Sequence, residues 1–236
     1  MYYGGYGYYH LDPTYILVII CAIISMIASA RVSSVFNKFN RVAAASGLTG
    51  AEAAQRILHA AGIYDVSVEH VRGNLSDHYD PRSKVLRLSD STFASRSVAA
   101  IGVAAHECGH AIQHQEEYKP LTLRSVLVPV TNFASKLAMP IILIGCVLSY
   151  NQTLIQVGIF AFSFAVIFQL VTLPVEFNAS SRALAMLKEQ GILAGQEVSM
   201  SRKVLNAAAM TYVAAAASSI IQLLRLILLF GGRRRD

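Results

Sequence analysis

Apolar and polar positions along this chain vary on two scales, and each scale predicts a different kind of element. The coarse scale is block-like, with uncharged apolar runs at 14–30 and 154–173 and interrupted ones at 128–150 and 204–230. A helix needs about 17–20 apolar residues to cross a bilayer. The first run meets the lower limit and the third meets it fully. Residues 137–150 are too few alone and include Pro140; extending the run back to 128 takes in Lys136, whose stem can snorkel to the interface. Asn151-Gln152-Thr153 is an uncharged turn, so 128–150 and 154–173 predict a membrane hairpin that returns the chain to the side it left. The last run is Ala-rich in its first half and broken by Arg225. It reads either as a fourth span or as a helix packed on a polar domain and followed by an interfacial segment.

The fine scale appears between the runs. Residues 31–125 mix both signs of charge with short periodic stretches, as a water-facing domain does. Thr49-Gly50-Ala51-Glu52 is a capping box opening a helix that Gly62 stops. Residues 66–71 and 84–89 alternate with period two and predict two short strands, with Asp77-His78-Tyr79-Asp80-Pro81 as a loop and turn between them. A helix starting near Ser95 or Ser97 runs to about Gln115. A second polar segment, 174–203, follows the hairpin.

Charge orients this layout. Arg31, Lys38 and Arg41 follow the first run, which places 31–125 on the cytoplasmic face of the cell's inner membrane; the hairpin returns 174–203 to that face. A full crossing by 204–230 would carry the 231–236 tail, with Arg233, Arg234 and Arg235, outward against the same rule. The Tyr/Gly-rich residues 1–13 lack a cationic segment and are not read as part of a cleaved signal peptide; they are an interfacial aromatic belt or have no fixed structure.

Composition agrees with the block pattern. The chain has 236 residues and 14% charged residues, with a mean hydropathy of +0.47. A soluble domain is about one-quarter charged, so the lipid bilayer is a partner. The net charge of +6 is weighted to the C-terminal arginines and forms no basic stripe with interleaved aromatics, so nucleic acid is not a partner. Cys21, Cys108 and Cys146 make neither a disulfide framework nor a paired-cysteine metal motif.

The chemistry lies in His106-Glu107-Cys108-Gly109-His110, on the helix that ends near Gln115. Histidines four apart share one helical face, so both imidazoles reach a single Zn2+, and Glu107 is placed as a general base. Cys108 points to another face and reads as a packing residue. A hydrolytic zinc site needs a third protein ligand. His114 fails, because it lies about 12 Å from His106 along one straight helix. A third histidine in the extended metzincin pattern fails too, since Gln113 and Glu116 occupy the diagnostic positions. Glu176 begins the polar segment after the hairpin, on the same side of the membrane as the two histidines, and is the best third ligand. Its plainer role is to mark the end of a span. Glu116 and Glu117 read as a solvated helix end.

His106 to His114, Leu-Pro-Val-Glu-Phe-Asn-Ala-Ser at 173–180 and Asp77-His78-Tyr79-Asp80-Pro81 together resemble the YugP-type membrane-bound neutral zinc metallopeptidases of bacteria. The likeness extends to the order of span, catalytic segment, hairpin and C-terminal helix. A more distant likeness is to membrane gluzincins of the prenyl-protease (CAAX) and HtpX types. In those an Asp four residues after the ligand Glu orients a histidine; here that position is Ser180, which leaves one histidine's orienting group unassigned. The fold implied is mainly α with a small β-sheet, an α+β zincin-like catalytic domain carried by transmembrane helices.

The expected reaction is zinc-assisted peptide hydrolysis by an endopeptidase acting on membrane-proximal or misfolded proteins. His106, His110 and Glu176 hold the metal, and Glu107 moves the proton from water to the leaving amine. The strand at 84–89 either offers an edge to an extended substrate or packs inside the domain. His78, Tyr79 and Tyr212 are all candidate oxyanion donors, and order alone does not choose among them. A catalytically silent scaffold retaining a zinc site is the alternative from another class. An intramembrane protease would need an Asp-Gly metal motif that the chain lacks, and a transporter would need partnered charges at membrane depth.

Overall fold

The computed structural model describes residues 14–230; the expectations for 1–13 and 231–236 lie outside them. In chain order the elements are α1 (Tyr15–Phe39), α2 (Gly50–Ala60), β1 (Ser67–Val71), β2 (His78–Asp80), β3 (Val85–Ser89), α3 (Val98–Gln115), α4 (Lys119–Val147), α5 (Gln152–Glu189) and α6 (Gln196–Phe230). The protein is mainly helical with one small sheet, as the periodicity predicts.

Among the described residues four helices, α1, α4, α5 and α6, are long and apolar enough to cross a membrane. Their outward faces carry large apolar side chains, including Ile16 and Met26 on α1, Phe133 on α4, Phe160 on α5 and Leu228 on α6. An apolar surface of this extent fits a lipid environment. The hairpin helices α4 and α5 pack closely because Gly158 has no side chain; a Cβ there would press on the Ala138 carbonyl and Ile142.

Helix α6 is continuous through the Ala-rich half and past Arg225. That favours the fourth span over an interfacial segment. It ends beside the start of α1, where Arg225 Nε donates to Thr14 Oγ1 at 2.9 Å and the guanidinium lies 4.3 Å from the Tyr15 ring centre. Gln152 at the hairpin tip donates to the Phe230 carbonyl at 2.7 Å. An arginine that interrupts an apolar run in sequence thus sits at a helix-end junction, paired with a hydroxyl and an aromatic face.

At the other end of the bundle, a compact core surrounds α3. Ile57 and Leu58 of α2, Leu86 and Leu88 of β3, and Ala183 and Leu187 of α5 pack against Ile101, Ala104, Ala105 and Cys108. Small residues let neighbours approach α3 from two directions. A Cβ at Gly102 would strike Ser201 of α6, and one at Gly109 would strike the Ala179 carbonyl of α5. Thr49 and Glu52 form the reciprocal capping box of α2, an arrangement whose N-cap alone typically contributes about 1 kcal/mol. Gly62 follows in the left-handed region (φ 74°) and stops that helix.

The sheet order is β1-β3-β2, with β3 parallel to β1 (Ser67 opposite Val85) and antiparallel to β2 (Tyr79 opposite Leu86). Two expectations change. The 77–81 segment contains strand β2; three residues are too few to show alternation, and pairing with β3 makes the strand. The segment 84–89 is central, paired on both sides, and therefore offers no edge to a substrate. The edges belong to β1 and β2.

Candidate metal centre

Helix α3 is buried along nearly its whole length, and His106, Glu107 and His110 line the cavities beside it. Their rings stand one turn apart, 4.8 Å between centres and 82° between planes. Glu176 arrives from α5 just after Pro174 and is 2% exposed. Its Oε2 lies 3.2 Å from His106 Nε2 and 3.6 Å from His110 Nε2. One ligand atom from each of the three falls within 4.8 Å of the others. Ligand atoms about 2.0–2.1 Å from a tetrahedral zinc stand about 3.3 Å from one another, so the donor set fits such an ion in chemistry and the two imidazole–carboxylate distances fit it in spacing. Gly109 makes this convergence sterically feasible, since α5 could not come so close to α3 past a side chain there.

A second set of contacts orients these groups. Ser180, one turn beyond Glu176, places its Oγ 3.1 Å from His106 Nδ1. Ser180 thus orients a histidine by a hydroxyl, filling the assignment that the sequence leaves open. His110 Nδ1 meets Gln113 Oε1 at 3.0 Å, and the Gln113 amide donates to the Val175 carbonyl at 2.8 Å and to Asn178 Oδ1 at 2.9 Å. Gln113 is fully buried and ties the motif helix to the helix carrying Glu176. Arg124 of α4 donates to Glu176 Oε1 at 3.0 Å, leaving Oε2 directed at the histidines.

Glu107 is 8% exposed, and its Oε2 accepts the Tyr79 backbone N–H at 3.0 Å. Burial works against a charge on His110, but the nearby Glu176 and Glu107 carboxylates outweigh it and hold its pKa above the ordinary histidine value. Cys108 faces away, fully buried with Sγ toward the Ala54 carbonyl at 3.5 Å, and burial pushes its thiol well above the usual range. His114 lies outside the cluster, its Nδ1 2.8 Å from the Tyr79 hydroxyl. That tyrosine is pushed up to about 12, first by burial and then by Asp65 and Asp80.

Two cavities flank the cluster and share Asp77, His106, Glu107, Glu176 and Tyr212. One, of about 320 Å3, opens toward β2 and α4 and includes His78, Tyr79 and Arg124. The other, of about 190 Å3, lies toward α1 and α6.

Residues 14–231 match the model of a protein family described as "Putative neutral zinc metallopeptidase". The chain belongs to this metallopeptidase family. It is also 52% identical over 207 residues, 88% of its length, to the "Putative membrane protease YugP" of Bacillus subtilis (strain 168), and the match covers 92% of that protein. No solved structure matches. Membership in a zinc metallopeptidase family implies zinc as the metal and a protease as the broad activity.

Three residues of this metallopeptidase that matter to the site do not stand out in its sequence as site residues. Gln113 enters the sequence reading only as a break in the metzincin pattern, although a glutamine three residues after a motif histidine shares its helical face. Arg124 is a lone cation at the start of an apolar run, where it resembles an interfacial anchor. Asn178 has no sequence signal beyond its closeness to Glu176.

Proposed function

We propose that the protein is a membrane-bound zinc metalloendopeptidase of gluzincin type, with His106, His110 and Glu176 as ligands, Glu107 as general base and acid, and membrane-proximal or misfolded proteins as substrates. The observation that carries this is the convergence of two imidazoles from the helix before the hairpin and one buried carboxylate from the hairpin's second limb, beside a second carboxylate on a shared cavity. Zinc in this donor set supplies Lewis acidity, polarising a scissile carbonyl and lowering the pKa of water toward about 7.

The chain's own residues supply the rest. The Tyr79 N–H fixes one oxygen of Glu107, so the other takes the proton from water and returns it to the leaving amine. Strand β2 has β3 on one side only and contributes His78 and Tyr79 to the larger cavity, so an extended peptide laid along β2 would pass the metal. Of the three oxyanion donors that the sequence leaves open, Tyr79 is engaged with His114 and His78 Nδ1 with the Ser76 carbonyl. Tyr212 alone of the three lines both cavities, with its hydroxyl beside Glu176, and that position at the metal cluster gives it the role in this reading. Arg31, Lys38, Lys119 and Arg124 lie toward the metal-centre end of their helices, which supports a cytoplasmic position for that end.

The test is zinc content and casein cleavage by the full chain in detergent, with Glu107→Gln as the variant. The expected result is one zinc per chain in both proteins and a 10²- to 10⁴-fold fall in turnover for Glu107→Gln. Equal turnover in the two would sink the mechanism. Zinc binding with no turnover in either, on any protein or peptide, would favour the silent scaffold.

A further inference from the structure

The Ala-rich first half of α6 contributes only Tyr212 to the chemistry above, yet a whole face of it looks onto the metal centre. Leu205, Ala208, Ala209 and Tyr212 follow at intervals of three, one and three residues, which places them on one helical face. Tyr212 reaches the cluster, while the two alanines stop short and leave a hollow between α6, α3 and α1. The hollow is the 190 Å3 cavity whose inner end is formed by His106, Glu107 and Glu176. Beyond the groups shared with the larger cavity and Ser180, every lining side chain is apolar, among them Val32, Phe36 and Val103. Leu205 and Ala209 are buried, at 3% and 4% exposed, and Phe36 is 3% exposed. Among these walls no cation or amide is placed to recognise a charged or polar group.

We infer that this hollow is a specificity pocket for one large apolar side chain, aliphatic or aromatic, of the residue next to the scissile bond. The inference rests on the peptidase reading and extends it to the class of substrate. Size favours a side chain over a lipid tail, because a cavity of about 150 Å3 with aliphatic walls holds one benzene ring. A volume of about 190 Å3 therefore admits an isobutyl or benzyl group and not a full acyl chain. Position favours it too. The cavity adjoins the proposed proton-transfer group, so a side chain seated in it brings its own peptide bond to Glu107. Seating such a group rather than a methyl is worth roughly tenfold or more in discrimination, since each methylene in an apolar pocket contributes about 10-fold.

The experiment has two arms on the full chain in nanodiscs. In the first, the zinc-loaded protein digests a peptide mixture and the residues flanking each cut are read by mass spectrometry. The expected pattern is enrichment of Leu, Ile, Met or Phe at one fixed position beside the cut. Ala208→Leu, which fills the hollow, should shift that position toward Ala and Gly, and Val32→Ala, on a partly exposed wall, should admit a naphthyl side chain. In the second arm, Glu107→Gln is titrated by fluorescence anisotropy with two labelled extended peptides that differ only by Phe or Ala at that position. If the first arm fixes no position, the substitution is scanned along the peptide.

The Phe peptide should bind about tenfold tighter or more to Glu107→Gln, and adding Ala208→Leu should remove the difference. Cleavage without side-chain preference, together with equal binding, overturns the pocket and leaves the peptidase intact. Discriminating binding without cleavage keeps the pocket and overturns the peptidase. Saturation of the hollow by a nanodisc lipid, seen as loss of Phe discrimination in lipid that returns in detergent, overturns the assignment to a peptide side chain.

Discussion

The two halves of α5 share one unbroken helix and satisfy their side chains in opposite ways. Through 154–173 the helix shows Phe160, Ile167 and Leu170 to the surroundings and buries little beyond Ile155, Gly158, Val166 and Thr172. From Val175 onward it buries Val175, Glu176, Ala179, Ser180, Ala183 and Leu187, largely against α3. Pro174 lies at the change, where loss of one backbone donor is tolerated between two regimes. The first half is specified by hydropathy alone and accepts many sequences. The second is specified atom by atom, because a buried carboxylate is tolerable only where its partners are in place.

The widest gap between the halves should appear with Glu176→Ala. Zinc affinity measured by competition with a chromophoric chelator should fall well beyond the 10- to 100-fold typical of losing an orienting partner. Retention of wild-type affinity would remove Glu176 from the ligand set and erase the contrast. Gly109→Ala attacks the same half from the other side, inserting a methyl where the Ala179 carbonyl stands. The expected cost is about 1–3 kcal/mol in unfolding free energy, with weakened zinc binding because α5 must retreat.

Ser180→Ala removes the hydroxyl beside His106 and should lower zinc affinity by about 10-fold or more without moving the unfolding transition much. The pH dependence is gentler. In the metal-free protein His110 has a raised pKa, so its pairing stabilises the fold fully below the unfolded value of about 6.5 and is lost as pH rises through the higher folded value. Zinc requires the neutral imidazole, so its apparent affinity should fall by about tenfold per unit as pH drops through that raised value, before 6.5 is reached. A zinc titration flat from pH 8 to 6 would contradict it. Phe160→Leu, in the lipid-facing half, should change stability by no more than about 0.5 kcal/mol and zinc affinity not at all.

What could be read from the sequence follows the same division. Elements governed by local rules were readable: the capping box at Thr49 and Glu52, the alternation of β1 and β3, the motif helix from Ser97 and the apolar runs. Hydropathy found the runs but not their extent, since α1 continues to Phe39 and α4 starts at Lys119, where the helix leaves the apolar block and turns amphipathic. Strand β2 was hidden because only pairing with β3 makes it a strand. Glu176 emerged from topology, as the acid that returns with the hairpin to the side of the histidines. Gln113, Ser180 and Arg124 act through contacts between residues 52 to 74 apart in sequence, or through one helical turn whose partner lies on another helix, and no periodicity records such pairs.

The order of the motif, hairpin and Glu176 also sets a sequence of events during synthesis. His106, Glu107 and His110 leave the ribosome before α4 and α5, and Glu176 joins them only once α4 and the first part of α5 have been made. A chain stalled before that point carries His106, Glu107 and His110 without Glu176, and Arg124 on the first limb is without the carboxylate it meets on the second. Packing of α5 on α3 is thus the step that completes the cluster, so a nascent chain that ends before residue 176 lacks its buried carboxylate.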